Sequence, residues 1–183
     1  MDGLLLSGGI ESTTLLYEHA RTAHALFIDY GQRAARAERA AARGACARLA
    51  VPLTCLDARA LSAGIAAPGL LRAHVPLAAR NLFAVSLAAN WALHHHARAI
   101  LLGLQKDDRD HPEGRPATIQ ALEACLAALG VALLTPYAEL TKREVVARGR
   151  ALGIDYAATY SCLLGHRRPC GRCPQCRARQ AVL

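Results

Sequence analysis

With 183 residues, 53% of them hydrophobic and 4% aromatic, the chain can form one domain with a mainly aliphatic core, which excludes a disordered protein. Its 22 basic and 14 acidic residues give a formal net charge of +8, which favours an anionic ligand such as a nucleotide or a nucleic acid. No segment approaches the roughly 18 apolar residues of a membrane span, and the start MDGLLLSGG lacks the basic region of a secretory signal, so we expect a cytosolic protein.

Short apolar runs alternate with helical patterns along the chain. The predicted strands are 3–6, 25–28, 53–56, 99–103 and 131–135, and the predicted helices are 11–21, 33–49, 81–96, 118–129 and 141–152. We predict a loop over 59–75, because Gly64, Pro68 and Gly69 interrupt regular secondary structure there. Helix 81–96 is apolar almost all round, so we expect it to be buried. One of its faces is a candidate for the interface of a homodimer.

The repeated β-α units predict an α/β fold class: a Rossmann-like parallel five-stranded sheet with helices on both faces. Sheets of this kind bind ligands beyond the carboxyl ends of their strands. Polar segments follow three of the predicted strands at that edge: SGG, DYGQ and GLQKDD. We place this domain at residues 1–160 and a zinc-binding segment at 161–183, where Cys, Gly, Arg and Pro become frequent.

The terminal segment carries the cysteine pattern C-x7-C-x2-C-x2-C, formed by Cys162, Cys170, Cys173 and Cys176. Thiols stay reduced in the cytosol, and paired C-x2-C turns suit a tetrahedral metal, so the pattern predicts one structural Zn²⁺. The alternative is that some are ordinary thiols or a redox pair. The other three cysteines, Cys46, Cys55 and Cys125, lie on apolar faces and are predicted core residues.

The stretch SGGIESTT, residues 7–14, lies between a predicted strand and a predicted helix. Its glycines let backbone N–H groups approach an anion, and the helix N-terminus adds a partial positive charge. The side chains of Ser7, Ser12 and Thr13 can donate further hydrogen bonds. Glu11 would repel a phosphate unless Mg²⁺ lies between them. The other interpretation is that Glu11 only stabilises the first helical turn.

This stretch resembles the SGGxDS pyrophosphate loop of the adenine nucleotide α-hydrolase-like ATP pyrophosphatases. The chain is most similar to one of their families, the 7-cyano-7-deazaguanine synthases of the queuosine pathway. Further segments match that family in order and cover nearly the whole chain: FIDYGQR, VPLAARNLFAVSLAANWA, GLQKDDRDHPEGRP, TPYAELTKREVVARGRALGIDYAATYSC and the cysteine spacing.

The resemblance implies an ATP-dependent ligase that adenylates the carboxylate of 7-carboxy-7-deazaguanine. Ammonia then gives the amide, and a second ATP leads to the nitrile. It also implies ATP as co-substrate, Mg²⁺ and one structural Zn²⁺. Its partners are therefore small molecules, and a nucleic-acid partner is not expected.

The same resemblance implies the site residues. Lys142, Arg80 and Glu11 are the catalytic candidates, because their charges would act on the phosphates and the metal. Asp108 is expected to accept hydrogen bonds from the guanine-like edge, with Asp107 and Asp110 as alternatives for this role. Gln105 and Arg115 are also expected to bind the substrate. The ATP-binding candidates are Ser7, Gly8, Gly9, Ser12, Thr13, Tyr30, Gly31 and Gln32. The run His94–His96 is predicted to be an exposed helix end.

The chain departs from the family pattern at the presumed site. Glu11 replaces Asp, Ala34 replaces His, Gln105 replaces Asn, and two loops are shorter. These changes suggest a divergent relative, as in anti-phage defence operons, where the deazaguanine is joined to a protein amine and the reaction stops at the amide.

Two other function classes remain to be weighed. A tRNA sulfur-transferase would need reactive cysteines near the loop, and Cys46 and Cys55 do not clearly meet that need. A zinc-dependent nucleic-acid-binding module would suit the basic tail RRPCGRCPQCRARQ. That reading leaves SGGIESTT, DYGQR and LTKRE without a role.

Overall fold

A computed structural model of the protein describes residues 1–65 and 77–183. In these ranges the strands are β1 Asp2–Leu5, β2 Ala23–Asp29, β3 Leu53–Asp57, β4 Ala99–Leu101 and β5 Ala132–Leu134. The helices are α1 Ile10–His19, α2 Ala35–Leu49, α3 Arg59–Ile65, α4 Arg80–His94, α5 Pro116–Ala128, α6 Lys142–Ala151 and α7 Pro174–Gln180. None of the helices in these ranges has both the length and the apolar composition needed to span a membrane.

The strands form one parallel sheet in the order β3-β2-β1-β4-β5. From β1 the chain first builds the sheet to one side, through β2 and β3, and then to the other, through β4 and β5. The connections therefore reverse direction between β1 and β4, and a crevice opens at the carboxyl ends of these two strands. The predicted fold class is confirmed, and the polar segments after β1 and β4 meet in this crevice.

Helices cover both faces of the sheet, as an all-parallel sheet requires. On one face, α1, α2 and α6 pack against β1 and β2 through buried residues such as Leu15, Cys46 and Val145. On the other face, α4 and α5 contribute Val85 and Ile119 to a second cluster. Because both faces are buried, the central strands consist almost entirely of apolar residues.

The predicted loop over 59–75 is wrong in its first part, where α3 spans Arg59–Ile65. Asp57 starts this helix: its Oδ1 accepts hydrogen bonds from the backbone N–H of Arg59 at 3.2 Å and from the Arg59 guanidinium at 2.8 Å. Gly64 lies inside this helix, so the stability of the helix outweighs the tendency of glycine to interrupt it. The rest of that prediction, with Pro68 and Gly69, lies outside the described residues.

Helix α4 is buried on one side only, so the prediction of an all-round buried helix is wrong. Val85, Ala88 and Trp91 face the sheet, whereas Leu82 and Leu93 remain 49% and 43% exposed. The sheet lies along one side of α4, and no apolar composition can bury the other side without a second layer. His94–His96 form an exposed helix end, as predicted.

Of the three cysteines predicted to lie in the core, only Cys46 is buried. Cys55 is exposed because β3 is an edge strand of the sheet. Cys125 is exposed because it lies on the outer side of α5, whose buried side carries Leu122 and Leu126.

Two helical glycines give a matched test of the packing. A Cβ on Gly149 in α6 would overlap the Tyr156 hydroxyl, which is fixed by a 2.7 Å hydrogen bond to Thr14 Oγ1. We expect Gly149→Ala to lower the free energy of unfolding by about 1–3 kcal/mol, as overpacking does. Gly44→Ala in α2 adds a methyl group to open space and should raise it by about 0.5–1 kcal/mol.

Urea denaturation followed by circular dichroism measures both changes. Equal effects of the two substitutions would contradict the packing of α6 against the turn that holds Tyr156.

Candidate active site

The segment after β1 folds into a tight turn that leads into α1. Gly8 has φ +78, and a Cβ there would come within 2.6 Å of the Glu38 carbonyl oxygen, so only glycine fits. The Ser12 hydroxyl accepts the Ser7 N–H at 3.2 Å and bonds to the Ser7 hydroxyl at 3.0 Å. The backbone N–H of Gly9 donates to Ser7 Oγ at 3.3 Å. These hydrogen bonds hold the turn together and leave Ser7 exposed at the N-terminus of α1. We call residues 7–12 the anion turn.

Thr13 lies on another side of α1 from the hydroxyls of the anion turn. Its side chain is buried and lines a cavity of about 10 Å³ together with Tyr17 and Ile154, which is room for one water molecule. Thr13 Oγ1 has no partner within the described residues. The structure thus brings Ser7 and Ser12 together but does not bring the Thr13 hydroxyl to them.

The segment after β2 is braced by the side chain of Gln32. Its Oε1 accepts the N–H of Tyr30 at 3.0 Å, and its Nε2 donates to the Ile28 carbonyl at 3.2 Å and to Glu38 Oε2 at 3.0 Å. Gly31, with φ +84, donates its N–H to Asp29 Oδ1 at 3.1 Å. Gln32 therefore shapes this segment, because its amide is already engaged within the protein.

Glu38, on α2, was not predicted as a site residue. Burial raises its pKa, while the hydrogen bond from Gln32 and the charge of Arg80 lower it. A carboxylate near the start of an Ala-rich helix is the only signal in the sequence that could have pointed to it.

The segment after β4 lies directly against the start of α1. A Cβ on Gly103 would be 3.2 Å from both Glu11 C and Ser12 N. Two residues further on, Gln105 is 5% exposed, its N–H donates to Asp108 Oδ2 at 2.9 Å, and its own Oε1 has no partner within the described residues. A buried acceptor of this kind needs a donor from a ligand or water.

The pKa of the Asp108 carboxyl group depends on several nearby charges. Burial raises its pKa, the N–H of Gln105 lowers it, and the charge of Glu11 raises it further. The charges of Lys142 and Arg80 lower it. The structure therefore brings together Asp108, Glu11, Lys142 and Arg80, four of the residues that the sequence singled out.

Lys142 is the first residue of α6, and the preceding residue fixes it. Thr141 caps the helix, with its N–H donating to Glu144 Oε2 at 2.7 Å and its hydroxyl accepting from Glu144 N–H at 3.4 Å. Lys142 Nζ donates to Glu11 Oε1 in an ion pair. The exposed fractions of the two side chains are only 9% and 17%, so this pair is shielded from water.

Arg80 and Arg115 differ in their placement. Arg80 opens α4, and its charge lowers the pKa of both Asp108 and Tyr30, although burial raises the pKa of Tyr30 to about 12. The charge of Arg80 thus acts on a residue of the segment after β2 and on a residue of the segment after β4. Arg115 is exposed at the start of α5, and its side chain makes no hydrogen bond or ion pair to the described residues, so the structure does not bring it to the cluster.

The four cysteines of the terminal segment converge on one point. The Sγ atoms of Cys162, Cys170, Cys173 and Cys176 all lie within 4.8 Å of one another, and those of Cys170 and Cys176 are 3.9 Å apart. A tetrahedron with Zn–S bonds of about 2.3 Å has edges of about 3.8 Å. The backbone N–H groups of Arg172 and Cys173 lower the pKa of Cys170 to about 6. This cluster could hold a metal such as zinc.

The residues just before the cysteine segment, 156–160, join it to the anion turn. The backbone N–H of Tyr160 donates to the Gly8 carbonyl at 2.8 Å, and its phenol donates to the His166 carbonyl at 2.7 Å. Arg179 of α7 donates to Thr159 Oγ1 at 2.6 Å and to the carbonyl oxygen of Tyr156. Neither Tyr160 nor Arg179 was predicted as a site residue. The only sequence signal for Tyr160 is its place two residues before Cys162, the first cysteine of the cluster.

The comparison with known proteins agrees with this geometry. The family described as queuosine biosynthesis protein QueC matches residues 4–183. The 7-cyano-7-deazaguanine synthase 1 of Sulfurisphaera tokodaii is 33% identical over 180 residues, which covers 97% of this chain and 89% of that one. The corresponding synthase of Thiobacillus denitrificans is 37% identical over 207 residues, covering 97% and 90%. The chain belongs to the QueC family.

Solved structures of lower identity share only the fold with this QueC family member. The U34-tRNA thiolase NcsA of Methanococcus maripaludis has a TM-score of 0.59 at 15% identity, and the match covers 99% of this chain and 63% of that one. The NH3-dependent NAD synthetase of Campylobacter jejuni has the same TM-score at 18% identity, covering 86% and 66%. The division of the chain at residue 160 stays a prediction.

Replacing one cysteine of the cluster tests the metal. We expect Cys170→Ser to lower the bound zinc from one per chain and to reduce the melting temperature, because the cluster loses a soft ligand. Plasma emission spectrometry of the purified protein measures the metal. Cys125→Ser, an exposed thiol outside the cluster, should leave both values unchanged.

A Cys170→Ser variant that retains a full equivalent of zinc would contradict the tetrahedral site. So would an equal loss of zinc in Cys125→Ser.

Proposed function

We propose that this QueC family member uses ATP to adenylate the carboxylate of 7-carboxy-7-deazaguanine, forms the amide with ammonia, and converts the amide to the nitrile. The observation that carries the proposal is the ion pair between Lys142 and Glu11, which links the start of α6 to the anion turn in the crevice between β1 and β4. The charges of both residues act on Asp108. A lysine that is shielded from water and lies beside the anion turn can stabilise the negative charge that develops during transfer of a phosphorus-centred group.

The anion turn would bind the phosphates that leave as pyrophosphate. Its glycines allow close approach of a ligand to the backbone, and the first N–H groups of α1 lack helical partners. Ser7 and Ser12 add hydroxyl groups that already bond to each other. The segment around Tyr30 and Gly31, held by Gln32, would lie beside the nucleotide.

Glu11 fits the role of a Mg²⁺ ligand. One of its oxygens pairs with Lys142, and the other lies 3.8 Å from the position of a Cβ on Gly9 in the anion turn. Carboxylate oxygens are the ligands that Mg²⁺ prefers beside substrate phosphates. Bound there, the ion would neutralise charge on the triphosphate. Glu11 would then hold both Lys142 and the metal toward the same phosphate group.

The chemistry follows from the need for a leaving group. A carboxylate oxygen of the substrate attacks the α-phosphorus of ATP, the bond to the β-phosphate oxygen breaks, and pyrophosphate leaves. Ammonia then attacks the acyl carbon, a proton is lost, and AMP leaves to give the amide. A second ATP adenylates the amide oxygen, and loss of AMP with the remaining N–H protons gives the nitrile. Lys142 and Arg80 would offset the negative charge that develops in both adenylations.

Asp108 and Gln105 would recognise the base. The carboxylate of Asp108 accepts one protein hydrogen bond on Oδ2, so it can accept further donors from a guanine-like edge. The unpartnered Oε1 of Gln105 offers a second acceptor close by. Two acceptors in a mostly buried site would discriminate strongly against a ligand that lacks the matching N–H groups.

Sulfur transfer is not supported by the thiols outside the zinc cluster. Burial raises the pKa of Cys46 to about 11, which keeps it as the unreactive thiol at neutral pH. Cys55 lies in the edge strand β3, separated from β1 and the anion turn by β2.

The two lysines of the chain provide a direct test of the site. We expect Lys142→Ala to lower kcat for AMP formation by about a hundredfold or more, because a charge that acts mainly in the transition state is removed. Lys106→Ala removes the other, exposed lysine from the same neighbourhood and should retain nearly full activity. Rates are measured by release of pyrophosphate under saturating ATP.

If both variants lose activity equally, or if neither does, Lys142 has no special role. Thermal melting of each variant separates loss of the catalytic charge from loss of fold, because Lys142→Ala also leaves Glu11 without its partner.

The reaction itself is tested by incubating the protein with ATP, Mg²⁺, 7-carboxy-7-deazaguanine and ammonium, followed by mass spectrometry. We expect two AMP per nitrile formed. AMP with amide and no nitrile would replace the full synthase by a ligase that stops at the amide, whose acceptor can then be sought among protein amines. No AMP under any of these conditions would overturn the proposal.

A further inference from the structure

Seven exposed arginines lie on α2, just before it, and on the cysteine segment. They are Arg33, Arg36, Arg43, Arg167, Arg168, Arg172 and Arg177, which we call the arginine surface. Arg36 and Arg43 lie seven residues apart in α2, so they point to the same side of the helix about 10 Å apart.

The two halves of the arginine surface form one continuous part of the molecule. A Cβ on Gly165 would overlap the carbonyl of Arg33 and would lie 3.2 Å from Ala34 Cα, so the cysteine segment is in direct contact with the chain before α2. Ala34, Ala37 and Ala41 pack in one cluster with Tyr160 and the cysteines. The small alanine side chains allow this close approach, so the two sets of arginines are carried by neighbouring elements.

Acidic residues are almost absent from this part of the chain. Residues 156–183 contain no Asp or Glu, and residues 30–56 contain only Glu38, which is largely buried and bonded to Gln32. Some exposed arginines elsewhere have acidic partners, such as Arg59 with Asp57 and Arg148 with Glu18. None of the seven arginines forms an ion pair within the described residues.

We infer that the arginine surface binds the phosphate backbone of double-helical nucleic acid, independently of base sequence. A concentrated field of guanidinium groups without counter-charges attracts a polyanion, and each guanidinium can form paired hydrogen bonds to phosphate oxygens. This role goes beyond the proposed ligase activity and does not depend on it, because none of the seven arginines takes part in the crevice between β1 and β4.

The surroundings of the arginines favour a duplex over a single strand. Single-stranded nucleic acids are usually held by aromatic side chains on which bases stack. Residues 31–56 and 161–183 contain no Phe, Tyr or Trp. A duplex presents only its phosphates and needs no such platform.

The same surroundings disfavour a membrane surface. Peripheral binding to lipid needs apolar side chains that insert beside the basic ones. The large hydrophobic residues exposed in the described ranges, such as Leu61, Leu82 and Leu129, lie outside α2 and outside residues 161–177.

The test measures binding of a fluorescently labelled duplex RNA and a duplex DNA to the full, zinc-loaded protein by anisotropy at several salt concentrations. We expect micromolar binding whose logarithm falls linearly with the logarithm of salt. The double reversals Arg36→Glu with Arg43→Glu, and Arg167→Glu with Arg168→Glu, should each weaken binding at least about tenfold and reduce the slope by about 2.

The matched control is Arg21→Glu with Arg98→Glu, which makes the same change in net charge. Both arginines are exposed and lack ion pairs within the described residues, but they precede β2 and β4 at the opposite edge of the sheet. The control should keep the slope of the unmodified protein. All three variants should keep its melting temperature and its rate of AMP formation.

Three results would overturn the inference. The first is an equal loss of binding in the control, which would show a response to net charge alone. The second is tighter binding of a single strand than of either duplex. The third is binding to phosphatidylcholine vesicles containing phosphatidylserine without binding to a duplex. A difference between duplex RNA and duplex DNA would identify which of the two the surface favours.

Discussion

The ion pair between Lys142 and Glu11 is the constraint on which the rest of the site depends. It joins the start of α6 to the start of α1 across 131 residues of sequence, in a place where both side chains are mostly shielded from water. Removing one partner of such a pair leaves an uncompensated charge, at a cost of about 3–5 kcal/mol. Any ligand that draws Lys142 away must therefore bring a cation for Glu11. An anionic triphosphate accompanied by a divalent cation meets both demands at once.

The sheet order explains why these two residues can meet. Because β4 pairs with β1 on the side away from β2, the segments after β1 and β4 share one crevice, and α6 returns after β5 to pack on α1. Gly103 allows the segment after β4 to touch the first turn of α1. Gly114 likewise lies against Asp108, where a Cβ would overlap the Asp108 backbone. Close approach of backbones, more than any single hydrogen bond, brings Asp108 near Glu11.

Features encoded by neighbouring residues could be predicted from the sequence. The Thr141 cap, the turn with positive φ at Gly153 and the cysteine cluster each follow from a few consecutive positions. Burial could not be predicted in the same way. Cys55 is exposed because β3 lies at the edge, and α4 is half exposed because only one sheet face meets it. Strand order decides both, and no local pattern contains it. The hydrogen bonds by which Gln32 and Tyr160 hold their neighbouring segments could not be predicted for the same reason, because the fold decides which groups lie next to them.

The contact of Tyr160 with Gly8 shows how the cysteine segment contributes to the crevice without entering it. The carbonyl and the N–H of one peptide group point in opposite directions. Anchoring the Gly8 carbonyl to the Tyr160 N–H therefore directs the Gly9 N–H to the other side, where Ser7 Oγ lies 3.3 Å away. Tyr160 is in turn held by the carbonyl of His166 and packs against Cys162 and Cys176. A metal that fixes these sulfurs would thus fix the orientation of one peptide group in the anion turn. Through Tyr160 it would influence the phosphate binding that we propose for this turn.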